Sequence, residues 1–242
     1  MATSAEHLRN DPPRAEWNRD YEPFAFALPE EETTGHGSTA LASERHFDPD
    51  SILFREGAEA SSVYAIRGGI VKLVRHLPNG RARIVGLHGP GGVIGLPAGA
   101  SEAPVNPHSA IALGPVDTRC WSSVHMRRLR SEEPARYIEL LETLYGQVRQ
   151  ADLWITEFST GRIRSRVARL ILFLERTEDG PSAGEVELLT CQDMGEMLGV
   201  TPESVSRIVA DMKRRELLVP IAGETGERFL CDLEALQAIA RD

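Results

Sequence analysis

Residues 190–215 read TCQDMGEMLGVTPESVSRIVADMKRR. The stretch has the form of two short helices joined by a tight turn. Thr190 is suited to cap the first helix, with Asp193 three residues on as the acidic half of a capping box. Gly199 supplies a left-handed turn after Leu198, and Gly195 is small enough to let a second helix approach closely. Thr201 caps that second helix, and Pro202 takes its first position, where a missing N–H is no loss.

The second helix has two faces. Val205, Ile208, Val209 and Met212 recur at i, i+3, i+4 and i+7, a stripe that packs inward. Glu203, Ser206, Arg207 and Arg214 lie on the other side. That face begins at the helix N-terminus, the end that a DNA-reading helix inserts into the major groove. Arg207 can donate two hydrogen bonds to guanine O6 and N7, Glu203 can accept from cytosine N4, and Ser206 suits either kind of base edge. Lys213, Arg214 and Arg215 sit lower and suit phosphates, as do the Thr190 and Thr201 hydroxyls at the two helix starts. A helical hairpin with a solvated polar face would share the caps. The two glycines together with the Glu-x-x-Ser-Arg face favour DNA reading.

The segment LGVTPESVSRIVADMKRRELL resembles the helix-turn-helix of the Crp/Fnr family of bacterial transcription regulators. Glu203, Ser206 and Arg207 match the Glu-x-x-Ser-Arg of its Fnr-like branch, which implies TTGA-type half-sites. The Crp branch has an arginine where this chain has Pro202, so a Crp-type operator fits less well. The resemblance extends over residues 44–242. It implies double-stranded DNA as a partner, and RNA polymerase if the protein activates.

A chain of 242 residues allows two domains, each with its own core. The net charge of −9 argues against a uniformly basic coat but not against one basic face. Arg162, Arg164, Arg166, Arg169, Arg207, Lys213, Arg214 and Arg215 concentrate in the C-terminal third. Cys120, Cys191 and Cys231 are far apart, which points to a reducing compartment without a disulfide framework. No apolar run approaches membrane-spanning length and no signal-peptide core is present, so the expected location is cytoplasmic.

In chain order, residues 1–40 are rich in Pro, Glu, Asp, Thr and Gly and are expected to form a flexible arm. From 41 to 133, short β-rich runs at 52–54, 63–66, 70–75, 82–87, 109–113 and 116–121 alternate with glycine turns. Pro78-Asn79-Gly80 is a strong hairpin signal. The pattern predicts a small antiparallel barrel or roll, and ILFREGAEASSVYAIRGGIVKLVR resembles the cyclic-nucleotide-binding roll of the family. Residues 123–130 form a short helix. Over 134–158, Tyr137, Leu141, Leu144, Val148, Ala151, Ile155 and Phe158 follow 4-3 spacing, a coiled-coil seam that predicts a parallel homodimer. Ile138, Leu140, Tyr145 and Trp154 add apolar surface expected to face the roll. Ser159-Thr160-Gly161 reads as a hinge, with Thr160 capping the next helix and Ile163, Val167, Leu170, Ile171 and Leu174 as that helix's buried stripe. A winged helix-turn-helix over 159–242 completes an α+β chain: a strand at 186–189, a two-stranded wing at 217–221 and 228–231 around a turn at 223–226, and a last helix capped by Asp232.

Within the roll the resemblance also marks departures. Cyclic-AMP-binding members carry a glutamate after the glycine of the phosphate-binding turn and an arginine before Ser-Ala. Here Gly95 is followed by Leu96, and Ser109 is preceded by His108. These four residues are the effector-pocket candidates, and their chemistry disfavours cyclic AMP, since an apolar chain cannot bond a ribose hydroxyl and a neutral imidazole replaces a guanidinium poorly. The first forty residues hold no cysteine, which excludes the N-terminal iron–sulfur cluster of some members. Haem, bound in the roll of others, would need His76, His88 or His108 as axial ligand. The seven histidines show no HxH or HExxH spacing, and no metal site or catalytic set is expected. Cys191, at a helix start, is the redox candidate, as the corresponding cysteine is in some FixK-like relatives. Cys120 and Cys231 read as core. A ligand-binding or cupin-type roll protein without regulatory DNA binding is the alternative.

Overall fold

The structure, a computed structural model, describes residues 42–100, 105–132, 134–135, 138, 151–152, 154–177, 184–221 and 228–241. They fall into two compact units, one holding the described residues up to Asp152 and the other those from Trp154 on.

The first unit is a roll of eight antiparallel strands: β1 (Ser43–Phe47), β2 (Ile52–Phe54), β3 (Ser62–Gly68), β4 (Val71–His76), β5 (Ala82–His88), β6 (Val93–Ile94), β7 (Ser109–Ala112) and β8 (Val116–Ser122), with helices α1 (Pro97–Ala100) and α2 (Ser123–Glu132). One sheet runs β1-β8-β3-β6 and the other β2-β7-β4-β5. Tyr64, Ile66, Ile94, Val116 and Cys120 of the first sheet meet Leu53, Val71, Ala110 and Ala112 of the second in the inner core. The period-2 alternation of β3 sends Val63 and Ala65 to the opposite face, where they pack with Val93, Leu96, Ala98 and Met126. That double burial is why β3 reads as a continuous apolar run. The Pro78-Asn79-Gly80 turn forms as expected: Gly80 has φ +78°, and the Leu77 N–H bonds the Arg81 carbonyl at 2.8 Å. β1 and β6 lie outside the predicted set.

The second unit begins with helical residues 154–159 (α3), followed by α4 (Ile163–Thr177), β9 (Glu185–Glu187), α5 (Cys191–Leu198), α6 (Pro202–Arg214), β10 (Leu218–Pro220), β11 (Arg228–Cys231) and α7 (Leu233–Arg241). The predicted two-stranded wing is part of a three-stranded sheet ordered β10-β11-β9. The turn at 223–226 lies outside the described residues. Asp232 caps α7, its carboxylate accepting the Ala235 N–H at 3.0 Å. In α4, Val167, Ala168 and residues 170–174 are all buried, more than one stripe, because α5, α6, α7 and β9 pack around it. Ile163 of the predicted stripe is instead 37% exposed.

Three expectations for the segment before α4 need correction. Phe158, assigned to the dimer seam, is 3% exposed and packs edge-to-face on Trp154 and Phe173 at centroid distances of 5.0 and 5.6 Å. It belongs to the second unit's own core, and so does Trp154, expected to face the roll. Ile138, also expected against the roll, is 56% exposed. Of the seam, Ala151 and Ile155 are exposed, whereas Tyr137, Leu141, Leu144 and Val148 lie outside the described residues, as do Leu140 and Tyr145. Finally, the Thr160 hydroxyl donates back to the Thr156 carbonyl, so it closes α3 rather than capping α4. The expected hinge is also fastened. Arg169 of α4 donates to the Glu157 and Thr160 carbonyls at 3.1 Å each and to the Ala240 carbonyl at 2.8 Å, while Gly161 makes the turn at φ +84°.

Candidate nucleic-acid interface

The geometry of α5 and α6 follows from local chemistry. The Thr190 hydroxyl accepts the Asp193 N–H at 3.0 Å and donates to the Asp193 carboxylate at 2.8 Å. Gly199 ends α5 in the left-handed conformation at φ +67°. A Cβ on Gly195 would lie 2.9 Å from the Val200 carbonyl oxygen and 3.3 Å from the Pro202 nitrogen, so glycine there lets the turn fold against α5. Thr201 caps α6, its hydroxyl accepting the Ser204 N–H at 3.3 Å. Both threonine hydroxyls, expected on the DNA backbone, are thus engaged as caps. Thr190 already donates its only hydroxyl proton within the protein.

Along α6, Val205, Val209 and Met212 are buried and Ile208 is half-buried. Glu203, Ser206 and Arg207 are exposed on the opposite side, in the first half of the helix. The Glu203 carboxyl is held below its usual range, chiefly by its own backbone N–H, with the Thr201 side chain and the Arg207 charge adding to the effect. It is therefore an acceptor at neutral pH. Arg214 and Arg215 are exposed. Lys213 differs: its ammonium lies 4.3 Å over the Phe229 ring of β11, a cation–π contact that joins α6 to the sheet.

Two residues outside the predicted set join this surface. Asp211 holds Arg214 at 2.9 Å and Arg215 at 3.0 Å, and Arg164 from the first turn of α4 at 3.4 Å. Together Ile163, Arg164, Ser204, Arg207, Ile208 and Asp211 line a shallow groove beside the exposed face of α6. The i+3 and i+4 spacing of the Asp211 pairs is visible in sequence. The approach of Arg164 depends on how α4 packs on α6 and leaves no sequence signal.

Comparison with known proteins decides the assignment. Residues 44–133 match the family model of the cyclic nucleotide-binding domain, and residues 165–239 that of the Crp-like helix-turn-helix domain. The chain is similar to the transcriptional activator protein Anr of Pseudomonas protegens, 28% identical over 191 residues, covering 78% of this chain and 76% of Anr. It is equally similar, at 28% over 174 residues, to the nitrogen fixation regulation protein FixK of Rhizobium meliloti, covering 71% of this chain and 76% of FixK. Among solved structures, FixK2 from Bradyrhizobium japonicum superposes with a TM-score of 0.71 at 23% identity, over 83% of this chain and 98% of that one.

The chain belongs to the Crp/Fnr family.

It is accordingly a DNA-binding transcription regulator of the Crp/Fnr type. No helix among the described residues is long and apolar enough to cross a membrane. The residues expected to line a pocket in the roll take other places. Leu96 is 8% exposed within the outer apolar cluster against α1 and α2. It is a packing residue. Gly95 has φ +78°, and a Cβ on it would stand 2.4 Å from the Ser62 carbonyl oxygen, so it serves the fold. The Ser109 hydroxyl accepts the Glu56 N–H at 2.9 Å. His108 is half-buried, and burial first, then the Arg75 charge, lower its pKa.

Of the other haem candidates, His76 is exposed and bonded to Glu56 at 3.3 Å. His88 is buried with its pKa lowered to about 4, by burial first and then by the charge of His108. Among the described residues no cluster of histidine, cysteine and carboxylate is arranged to hold a metal ion. Cys191, the redox candidate, is half-buried as the first residue of α5, whereas Cys120 and Cys231 are buried, as expected of core residues.

Proposed function

We propose that this regulator reads TTGA-type half-sites as a parallel homodimer, with Glu203, Ser206 and Arg207 on base edges and Arg214 and Arg215 on phosphates. The observation that supports this most is the division of α6. Its one face is locked into the core by Val205, Val209 and Met212, so Glu203, Ser206 and Arg207 must present outward together. A rigid helix with a bidentate donor and a charged acceptor one turn apart has the chemistry to tell guanine and cytosine positions from adenine and thymine ones. The dimer seam is carried by residues 137–155, with exposed Ile155 at its end, and no longer includes Phe158. As a DNA-bound regulator the protein would act in the cytoplasm, with RNA polymerase as a partner where it activates.

Cyclic AMP is not the effector in this proposal. The buried Leu96 and the neutral-favouring surroundings of His108 both speak against a ribose–phosphate site. Fluorescence anisotropy with a duplex carrying a TTGA…TCAA palindrome and with a scrambled duplex tests the DNA reading, the palindrome being expected to bind more tightly. Equal affinity for the two would overturn it. Calorimetric titration with cyclic AMP is expected to show no micromolar binding.

A further inference from the structure

Asp211 stands one helical turn beyond Arg207, on the surface that faces DNA if α6 is the recognition helix. Its carboxylate is shared by three guanidinium groups. Arg214 Nη2 and Arg215 Nε come from the end of the same helix, and Arg164 Nη1 comes from the start of α4. The Asp211 side chain is 26% exposed, those of Arg164, Arg214 and Arg215 38, 72 and 59%. Contact with Arg214, then the charges of Arg215 and Arg164, keep the carboxyl ionised.

A fixed negative charge in the middle of a phosphate-binding surface is costly for raw affinity, because attachment to DNA grows with the number of phosphates neutralised. Exposed ion pairs contribute little to folding, so the arrangement has no strong stability reason. What the carboxylate does supply is order. Three long cationic side chains are drawn to one point, which also ties the first turn of α4 to the recognition helix.

We propose that Asp211 is a discrimination residue. It holds Arg164, Arg214 and Arg215 in one arrangement that suits the operator backbone, and it weakens attachment to DNA in every other register. On non-operator DNA the protein is held by general attraction, and there Asp211 subtracts a charge and withholds cations from the phosphates. On the operator, base contacts fix the register, and arginines already ordered lose less side-chain freedom on binding. The proposal rests on α6 being the recognition helix and adds to it a positioning role for an acidic residue.

The test uses the full chain with Asp211→Asn and Asp211→Glu, measuring anisotropy on the TTGA…TCAA duplex and the scrambled duplex over a salt series. Asp211→Asn is expected to bind scrambled DNA several-fold more tightly and to steepen its salt slope by about one unit. The palindrome should gain less, so the ratio between the two falls. Asp211→Glu, which keeps the charge, should restore the slope and most of the ratio, and all three proteins should melt alike.

An unchanged slope and ratio in Asp211→Asn would overturn the proposal. So would equal loss of affinity on both duplexes, which marks a merely structural role. If wild type does not prefer the palindrome, the TTGA assignment fails, and the salt slope on scrambled DNA still decides the role of Asp211. If wild type binds neither duplex, both fall.

Discussion

The roll's interior and helix α6 of the winged helix place their polar side chains in opposite ways. The roll draws them in: His88, Asn106, Ser109 and Thr118 are buried among its strands. Positions where effector chemistry was expected have become packing or backbone-bonding sites. The winged helix also buries Ser165 and Asp193, but its helix α6 keeps its charges out. Glu203, Ser206, Arg207, Arg214 and Arg215 share one exposed surface, while the apolar side of the same helix fixes their direction. A function exercised on a surface can therefore be recognised from the polarity of one helix face. One exercised in a cavity depends on which side of a strand or turn each side chain takes.

The sharpest way to separate the two units is Phe158→Ala. The Trp154–Phe158–Phe173 cluster lies within the second unit, and removing one of its three mutually packed rings should destabilise that unit by ~3–5 kcal/mol. Hydrogen exchange is expected to show lost protection in α4 and α7 and an unchanged roll. Loss of the dimer in sedimentation, with protection intact, would instead return Phe158 to the seam.

Acid should do the reverse. Neutral buried His88 has a folded pKa of about 4 against an ordinary 6.5, so the unfolded chain takes up the proton first. The roll keeps this stability above pH 6.5, loses it progressively as pH falls toward 4, and is weaker by about 3 kcal/mol below that. No histidine lies beyond His125 in sequence, so the winged helix lacks this term. Denaturant unfolding of wild type and His88→Leu at pH 7 and 4.5 checks it, the variant being expected to lose less on acidification.

On the surface, Arg207→Ala should cost ~1–3 kcal/mol on the palindrome and blur preference at one guanine, while leaving the roll's unfolding untouched. The smallest effect is expected from Lys213→Met. It removes a cation–π contact worth ~0.5–1 kcal/mol and weakens palindrome and scrambled DNA alike, as anisotropy at two salt concentrations would show.

Much of the second unit was legible because its signals are local. Thr190, Gly199, Thr201, Pro202 and Asp232 act within a few residues of themselves, and the predicted helices and wing strands formed around them. The roll's strands were mostly legible for the same reason. β6 was missed because two residues carry no period. β1 was missed because it is largely exposed and pairs with β8 across the whole roll. The seam failed at Phe158 because a 4-3 repeat tells which residues share a face, not what that face meets. Leu96 failed as a pocket residue because a position after a turn can point to either side of a sheet. Asp211 was visible as a helix-pair residue, but its third partner comes from another helix.

Arg169 carries a practical consequence. One guanidinium gathers three carbonyls, from residues 157, 160 and 240, so the end of α7 helps to build a turn far upstream in the sequence. Cutting α7 short before Ala240 would therefore also loosen the turn that closes α3. A label meant to report on the end of α3 can be attached just after α7, and anything bulky joined there needs a flexible spacer to leave that turn as it is.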